Sequence, residues 1–187
     1  MTKNKKVLKA IEEAEEIDYD IDGNAVIWVG LKSKEDFYDK YCDKSYKLLN
    51  TEMLEYIEKA SKSIPVNESL ALSFSTEFST TSKEKESMKN AIKRQYAEEL
   101  VLAKKKLNRN LLLSLILTIL GIGVLALGVV LANLKLSSII YDIVIIAAWV
   151  FIWDAFEMFF FSRPELKYKY HLMKRLINCK VYVKKAK

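Results

Sequence analysis

Cysteine, histidine, proline and glycine are all scarce in these 187 residues, at two, one, two and five copies. Each shortage excludes something. Cys42 and Cys179 are too few and too far apart for a metal cluster or a redox-pair motif. Both read as ordinary thiols, which behave as small buried hydrophobes. The single histidine, His171, lies on a basic tail, where a solvated side chain is the natural reading and a general base is not. With so little glycine there is no phosphate-cradling loop and no nucleophile elbow, and zinc-ligand spacing is also missing. The pattern therefore predicts a non-enzyme with no metal and no cofactor. A secretory leader is not expected either: residues 1–9 are basic, but residues 10–16 are acidic where an apolar core would be needed. Internal repeats and low-complexity linkers are absent from the sequence.

What the chain has instead is two long apolar runs, residues 111–134 and 139–161, separated only by Lys135, Leu136, Ser137 and Ser138. A bilayer crossing takes roughly 20 apolar residues in helical form. Lipid offers no water to backbone polar groups, so each run must be a helix, and the tiny connection makes them an antiparallel hairpin. The mean hydropathy near zero averages a charged front and an apolar back.

Charge is just as unevenly spread. Residues 1–109 carry 20 basic and 20 acidic side chains, whereas residues 162–187 carry nine and one. Lys and Arg resist translocation. They flank both runs, with Lys93, Arg94, Lys104, Lys105, Lys106 and Arg109 before the first and Arg163, Lys167, Lys169, Lys174 and Arg175 after the second. Only Lys135 lies between. The expected topology is a multi-pass protein of the cell membrane with both termini in the cytoplasm.

Along the front, Val7, Leu8, Ile11 and Ala14 recur at helical spacing, which predicts a short amphipathic helix over residues 4–15. Alternation then predicts a strand over 17–21, an Asp22-Gly23 hairpin turn, and a second strand over Ala25–Leu31. Ser33 and Asp36 resemble a capping box, with helical sequence running on to Ser63 and Asn50-Thr51 as a point of division. A third strand is expected over Leu70–Thr76, then a helix from Ser82 with no Gly or Pro before Gly121, able to run straight into the first span. The tail predicts a helix over 165–176 and a strand over 179–183. A five-residue strand needs a sheet to join, so the tail should return to the front domain.

The expected fold is thus an α+β membrane protein. A cytoplasmic domain occupies residues 1–108 and a transmembrane hairpin residues 109–161. A basic tail, residues 162–187, completes the N-terminal sheet.

Several constellations carry candidate chemistry. Asp18, Asp20, Asp22 and Gly23 match the front of a calcium loop, but its twelfth position, where a bidentate glutamate is required, is Val29. A strand leading into a turn explains the same residues. In the first span Ser114, Thr118, Gly121, Leu125, Gly128 and Ala132 share one helical face, five of the six small or hydroxylated. Small faces let membrane helices approach closely. The face suits the second span, or alternatively a homo-oligomer.

Asp154 and Glu157 share a face of the second span, and intramembrane carboxylates mark a pair, a cavity or a relay. Asn108, Arg109 and Asn110 lie at matching depth as candidate ion-pair or hydrogen-bond partners. Trp149, Trp153, Phe156, Phe159, Phe160 and Phe161 read as an interfacial anchor. Arg163, Lys167, Lys169, Lys174 and Arg175 form a basic cluster attracted to anionic lipid. The front domain is neutral and lacks a recognition motif, so no nucleic-acid partner is expected.

The segments Trp153-Asp154-Ala155-Phe156-Glu157 and Phe159-Phe160-Phe161-Ser162-Arg163-Pro164 are followed by Arg175-Leu176-Ile177 and the tail strand. Together, over residues 145–185, they resemble the C-terminal third of a family of uncharacterised bacterial two-span membrane proteins. In that family the residue after the tryptophan is more often glutamate than the Asp154 found here. The resemblance implies a bacterial inner-membrane protein and brings no activity with it. Two functions fit these readings: a membrane-anchored interaction or regulatory module with a protein partner, or an oligomeric pore or membrane-disrupting effector gated by its cytoplasmic domain.

Overall fold

The computed structural model describes residues 17–41, 48–133 and 138–185. The helix expected over 4–15 and Cys42 lie outside them, as does most of the connection between the apolar runs. The fold mixes helix and sheet. Three strands, β1 (Ala25–Leu31), β2 (Leu70–Thr76) and β3 (Lys180–Lys185), form one sheet in the order β1-β2-β3. The helices are α1 (Thr51–Ser63), α2 (Ser82–Asn133), α3 (Ser138–Glu157) and α4 (Arg163–Ile177). A π-helical turn, Met158–Ser162, joins α3 to α4.

Both strand pairs are parallel, with Ala25 opposite Leu70 and Ala71 opposite Lys180. Parallel neighbours require the chain to cross back from one strand end to the other, usually through helix. The first crossover is made by α1. The second consists of α2, α3 and α4, so both apolar helices lie within a single connection from β2 to β3. The tail strand does join the sheet, as its length predicts, and it makes β2 the central strand.

The described residues form two compact units, one of those up to Ala97 together with those from Lys174 onward, the other of those from Glu98 to Met173. The first is organised by side-chain alternation. Ala25, Ile27, Val29 and Leu31 of β1 are buried, as are Leu72 and Phe74 of β2 and Val181 and Val183 of β3. Phe37, Met53, Ile57, Met88, Ile92 and Leu176 are buried with them. Phe74, fully buried, meets Phe37 edge-on at 5.6 Å, a geometry that places a positive ring edge near a negative ring face. Asn50 caps α1 by accepting from the backbone N–H of Glu52 (2.9 Å) and Met53 (3.3 Å).

Three expectations are corrected. The strand over 17–21 is reduced to one bridge, Tyr19 with Ala25, although the turn itself forms: Gly23 has φ +75° and its N–H donates to the Asp20 carbonyl. β1 takes β2 as its ladder partner instead. The sheet is thereby wholly parallel, where the hairpin reading had given it an antiparallel pair. Lastly, the helix expected from Ser33 stops after the 3-10 turn Lys34–Asp36. Burial of Phe37 and a bridge from Tyr38 to Leu49 replace it before Asn50. The Asp36 carboxylate does accept from the Ser33 N–H (2.8 Å), but also from that of Lys32 (2.7 Å). That local demand tightens a turn as well as it would start a helix.

Candidate functional site

In the second unit, half-buried or buried positions of α2 recur at Asn110, Ser114, Leu117, Gly121, Val124, Gly128 and Leu131. Those of α3 and the π turn recur at Val144, Ala148, Phe151, Ala155 and Met158. Alternating steps of four and three are the 3.5-residue period of a left-handed helix pair. Small residues make the approach close. A Cβ added at Gly121 would sit 2.6 Å from Ile152 Cγ1 and 3.3 Å from the Ile152 backbone nitrogen. One added at Gly128 would be 3.1 Å from Ile145 Cδ1.

Of the packing face expected from sequence, Ser114, Gly121 and Gly128 lie on this seam, and Leu125 is half-buried beside it. Thr118 and Ala132 are exposed, and Leu117, Val124 and Leu131 occupy the other half of the seam. The Thr118 hydroxyl instead donates to the Ser114 carbonyl at 2.8 Å. Both stripes have the same 3.5-residue period and share Ser114, Gly121 and Gly128; the seam takes the Leu117, Val124 and Leu131 flank of these residues, not the Thr118 flank.

The acidic pair points elsewhere. Asp154 and Glu157 are both exposed, while Ala155 between them is buried against the seam. At about 100° per residue, Glu157 is turned some 200° from Ala155 and so faces away from α2. Among the described residues no salt bridge reaches either carboxylate, and Asn108 and Arg109 are exposed without an ion pair of their own. Asn110 is buried on the seam, and its Oδ1 has no hydrogen-bond partner. The contacts of Gly121 with Ile152 and Gly128 with Ile145 put Asp154 level with Ile119 and Glu157 level with Ile116. Asn108, Arg109 and Asn110 therefore do not lie at matching depth, and the acidic pair also faces another side.

The basic cluster divides. Lys167, Lys169 and Lys174 are exposed. Arg175 clamps its own unit: Nη2 donates to the carbonyls of Pro65 (2.8 Å) and Glu68 (2.9 Å), and Nε to Glu68 at 3.2 Å. Arg163 is half-buried with its guanidinium 5.9 Å from the Phe159 ring centre, and Nη1 has no hydrogen-bond partner.

A feature that sequence reasoning missed lies in the first unit, just beyond the C-terminal ends of β1 and β2. There a cavity of about 450 Å³ is lined by Phe37, Tyr38, Phe78 and Met88, with Lys34, Asp39 and Glu84 among its polar residues. Lys34 Nζ and Glu84 Oε1 are 2.6 Å apart. Glu84 also accepts from the N–H and hydroxyl of Thr81, and these bonds hold its carboxyl down at about 2. Open parallel sheets present their binding crevices at this edge. Parallel pairing was the missing signal, because it alone brings the residues after β1 beside those after β2.

At the opposite edge, Asp20 accepts from the Asp22 and Asn24 N–H groups, the Asn24 side chain and the Tyr182 hydroxyl. These donors lower its pKa and make it a turn organiser tied to β3. Lys180 Nζ reaches Asp22 at 2.6 Å. Among the described residues no cluster of His, Cys, Asp and Glu is suited to a metal ion. Cys179 is buried, which pushes its thiol up to about 12. No protein-family model, curated protein or solved structure matches this chain.

Proposed function

We propose that this chain is a two-span membrane protein whose sheet unit stays on the cytoplasmic face and works through contacts with a protein partner. The observation that carries the reading is the continuity of the elements. α2 runs for 52 residues from the sheet unit through the first apolar run without a break. The chain then returns through α3, the π turn and α4 to complete the same sheet with β3.

Membrane insertion is supported by what the second unit exposes. Only 11% of the most apolar window of each long helix is buried, whereas a soluble core helix would be mostly covered. Leu112, Leu115, Ile119, Ile122, Val129, Ile143 and Ile146 are among the exposed side chains. A soluble surface rarely carries a contiguous apolar patch of this size. Basic flanks favour both termini inside and a short outer turn, as in a bacterial inner membrane. Lys167, Lys169 and Lys174 are suited to anionic headgroups. A topology reporter fused at Ser137 tests the arrangement: activity characteristic of the outside supports it, and a cytoplasmic signal overturns it.

A second reading, an oligomeric pore, is favoured by the outward position of Asp154 and Glu157. Carboxylates turned to lipid are costly and usually face a protein or aqueous surface instead. Two spans are too few to enclose a channel, so the reading requires several copies. Conductance of purified protein in planar bilayers tests it: if Asp154→Asn with Glu157→Gln left ion flux unchanged, the carboxylates would have no part in it.

A further inference from the structure

We propose that the cavity beyond β1 and β2 binds a small organic cation, an ammonium group carried on an apolar or aromatic body. The site lies wholly within the sheet unit, so the inference goes beyond the protein-contact reading above and does not depend on it.

Place and size suit a ligand. The volume of about 450 Å³ falls within the range of small-molecule pockets, roughly 300–1,000 Å³. Two connections that leave the same edge of the parallel sheet build the lining, one after β1 and one after β2. Its apolar part is aromatic. The Phe37 and Tyr38 rings have centroids 4.8 Å apart and planes at 84°, so they meet at a corner, ring edge to ring face. Phe78, half-buried, joins them from the other connection. Phe37 and Met88 are buried, and packing holds that part of the lining in place.

Charge decides the class of ligand. The charged lining residues are Lys34 and Lys40 against Glu35, Asp39 and Glu84. Lys34 and Glu84 neutralise each other at 2.6 Å. Both oxygens of Glu84 are engaged, Oε1 by Lys34 and Oε2 by the Thr81 N–H and hydroxyl. The Lys40 amine lies 5.0 Å from the centre of the Tyr41 ring, which is not part of the lining. Glu35 and Asp39 are left over. Neither has an ion pair among the described residues. The Asp39 carboxylate accepts only from the Tyr41 N–H, at 2.9 Å to Oδ1. An anion entering here would face both carboxylates and would have to draw Lys34 away from Glu84. A cation meets the carboxylates directly, and the faces of aromatic rings attract it further. An uncharged ligand would gain the apolar contact alone.

The test is equilibrium dialysis of the full chain, in a nonionic maltoside detergent, against three probes that share a phenyl ring: benzyltrimethylammonium, benzyl alcohol and phenylacetate. The cation should bind saturably at one site per chain, about ten-fold more tightly than the alcohol or the anion. Ser87→Trp, at an exposed position of the lining, should abolish that binding by filling the cavity. Glu35→Gln with Asp39→Asn should weaken the cation about ten-fold and leave the alcohol unchanged, a split that loss of the fold would not produce. Tighter binding of phenylacetate, equal binding of all three probes, or no saturable binding by the unmutated chain overturns the proposal. Undiminished binding by the Ser87→Trp chain does so too, because the probe would then sit elsewhere.

Discussion

The two units solve the burial problem in opposite ways. In the sheet unit the largest side chains go inside: Phe37, Phe74, Tyr96 and Leu72 are among the residues almost wholly removed from solvent. In the hairpin unit the buried positions of α2 and α3 are Ala103, Asn110, Ser114, Gly121, Gly128, Ala148 and Ala155, while most of their leucines, isoleucines and tryptophans lie outside. Water drives the first arrangement, because apolar area removed from it is stabilising in proportion to its size. Where the surroundings are as apolar as leucine, burial gains nothing, and close backbone approach decides the packing. On the membrane reading proposed above, the same apolar residue types are placed according to the medium they face.

This contrast can be broken from either side. The largest effect belongs to Phe74→Ala, expected to cost the sheet unit about 3–5 kcal/mol as a fully buried aromatic is replaced by a cavity. Chemical unfolding of the detergent-solubilised chain, followed by near-ultraviolet circular dichroism, measures it. In the hairpin the damaging change is the reverse, from small to large. Gly121→Leu should cost about 1–3 kcal/mol, because the Ile152 backbone cannot retreat from the added side chain. Gly123→Leu, opening into empty space, should leave the thermal stability of an isolated hairpin unchanged. Equal losses at the two glycines would remove the distinction between seam and outer face.

Smaller effects sharpen the account of the sheet unit. Asn50→Ala should lower its stability by about 1 kcal/mol through loss of the α1 cap, read from the shift in denaturation midpoint. Glu84 adds a pH signature. Its carboxyl titrates at about 2 in the folded chain against an ordinary 4.5. The stabilisation is therefore complete above about 4.5 and is lost as pH falls toward 2. Glu84→Gln should flatten the acid limb of the stability profile in that interval and leave neutral pH behaviour similar. An unaltered acid limb would remove the Lys34–Glu84 bridge from the account.

Much of this was readable from residue order. Strands β1 and β2 show in the alternation of Ile27, Val29 and Leu31 and in the run Leu70–Phe74. The unbroken α2 shows in its lack of glycine or proline before Gly121. The early hairpin was over-read, because Asp22-Gly23 specifies a turn but not the length of the ladder beyond it. Turn chemistry acts over four residues, whereas β1 chose its partner through burial against β2, more than forty residues away. The packing seam was read half correctly for a related reason. Spacing finds the small residues, but the rotation of α2 toward α3 selects which flank of the stripe is covered.

By itself, then, the sequence determined the two apolar helices, their tight connection, the basic flanks and the tail strand in search of a sheet. These follow from local period, length and charge, which need no partner to be read. Only the tertiary structure decided that the sheet is parallel, that a cavity opens beyond β1 and β2, and that Asp154 and Glu157 face away from α2. Each of those depends on which distant segments meet and how each helix is rotated about its axis, and both are set by packing between elements.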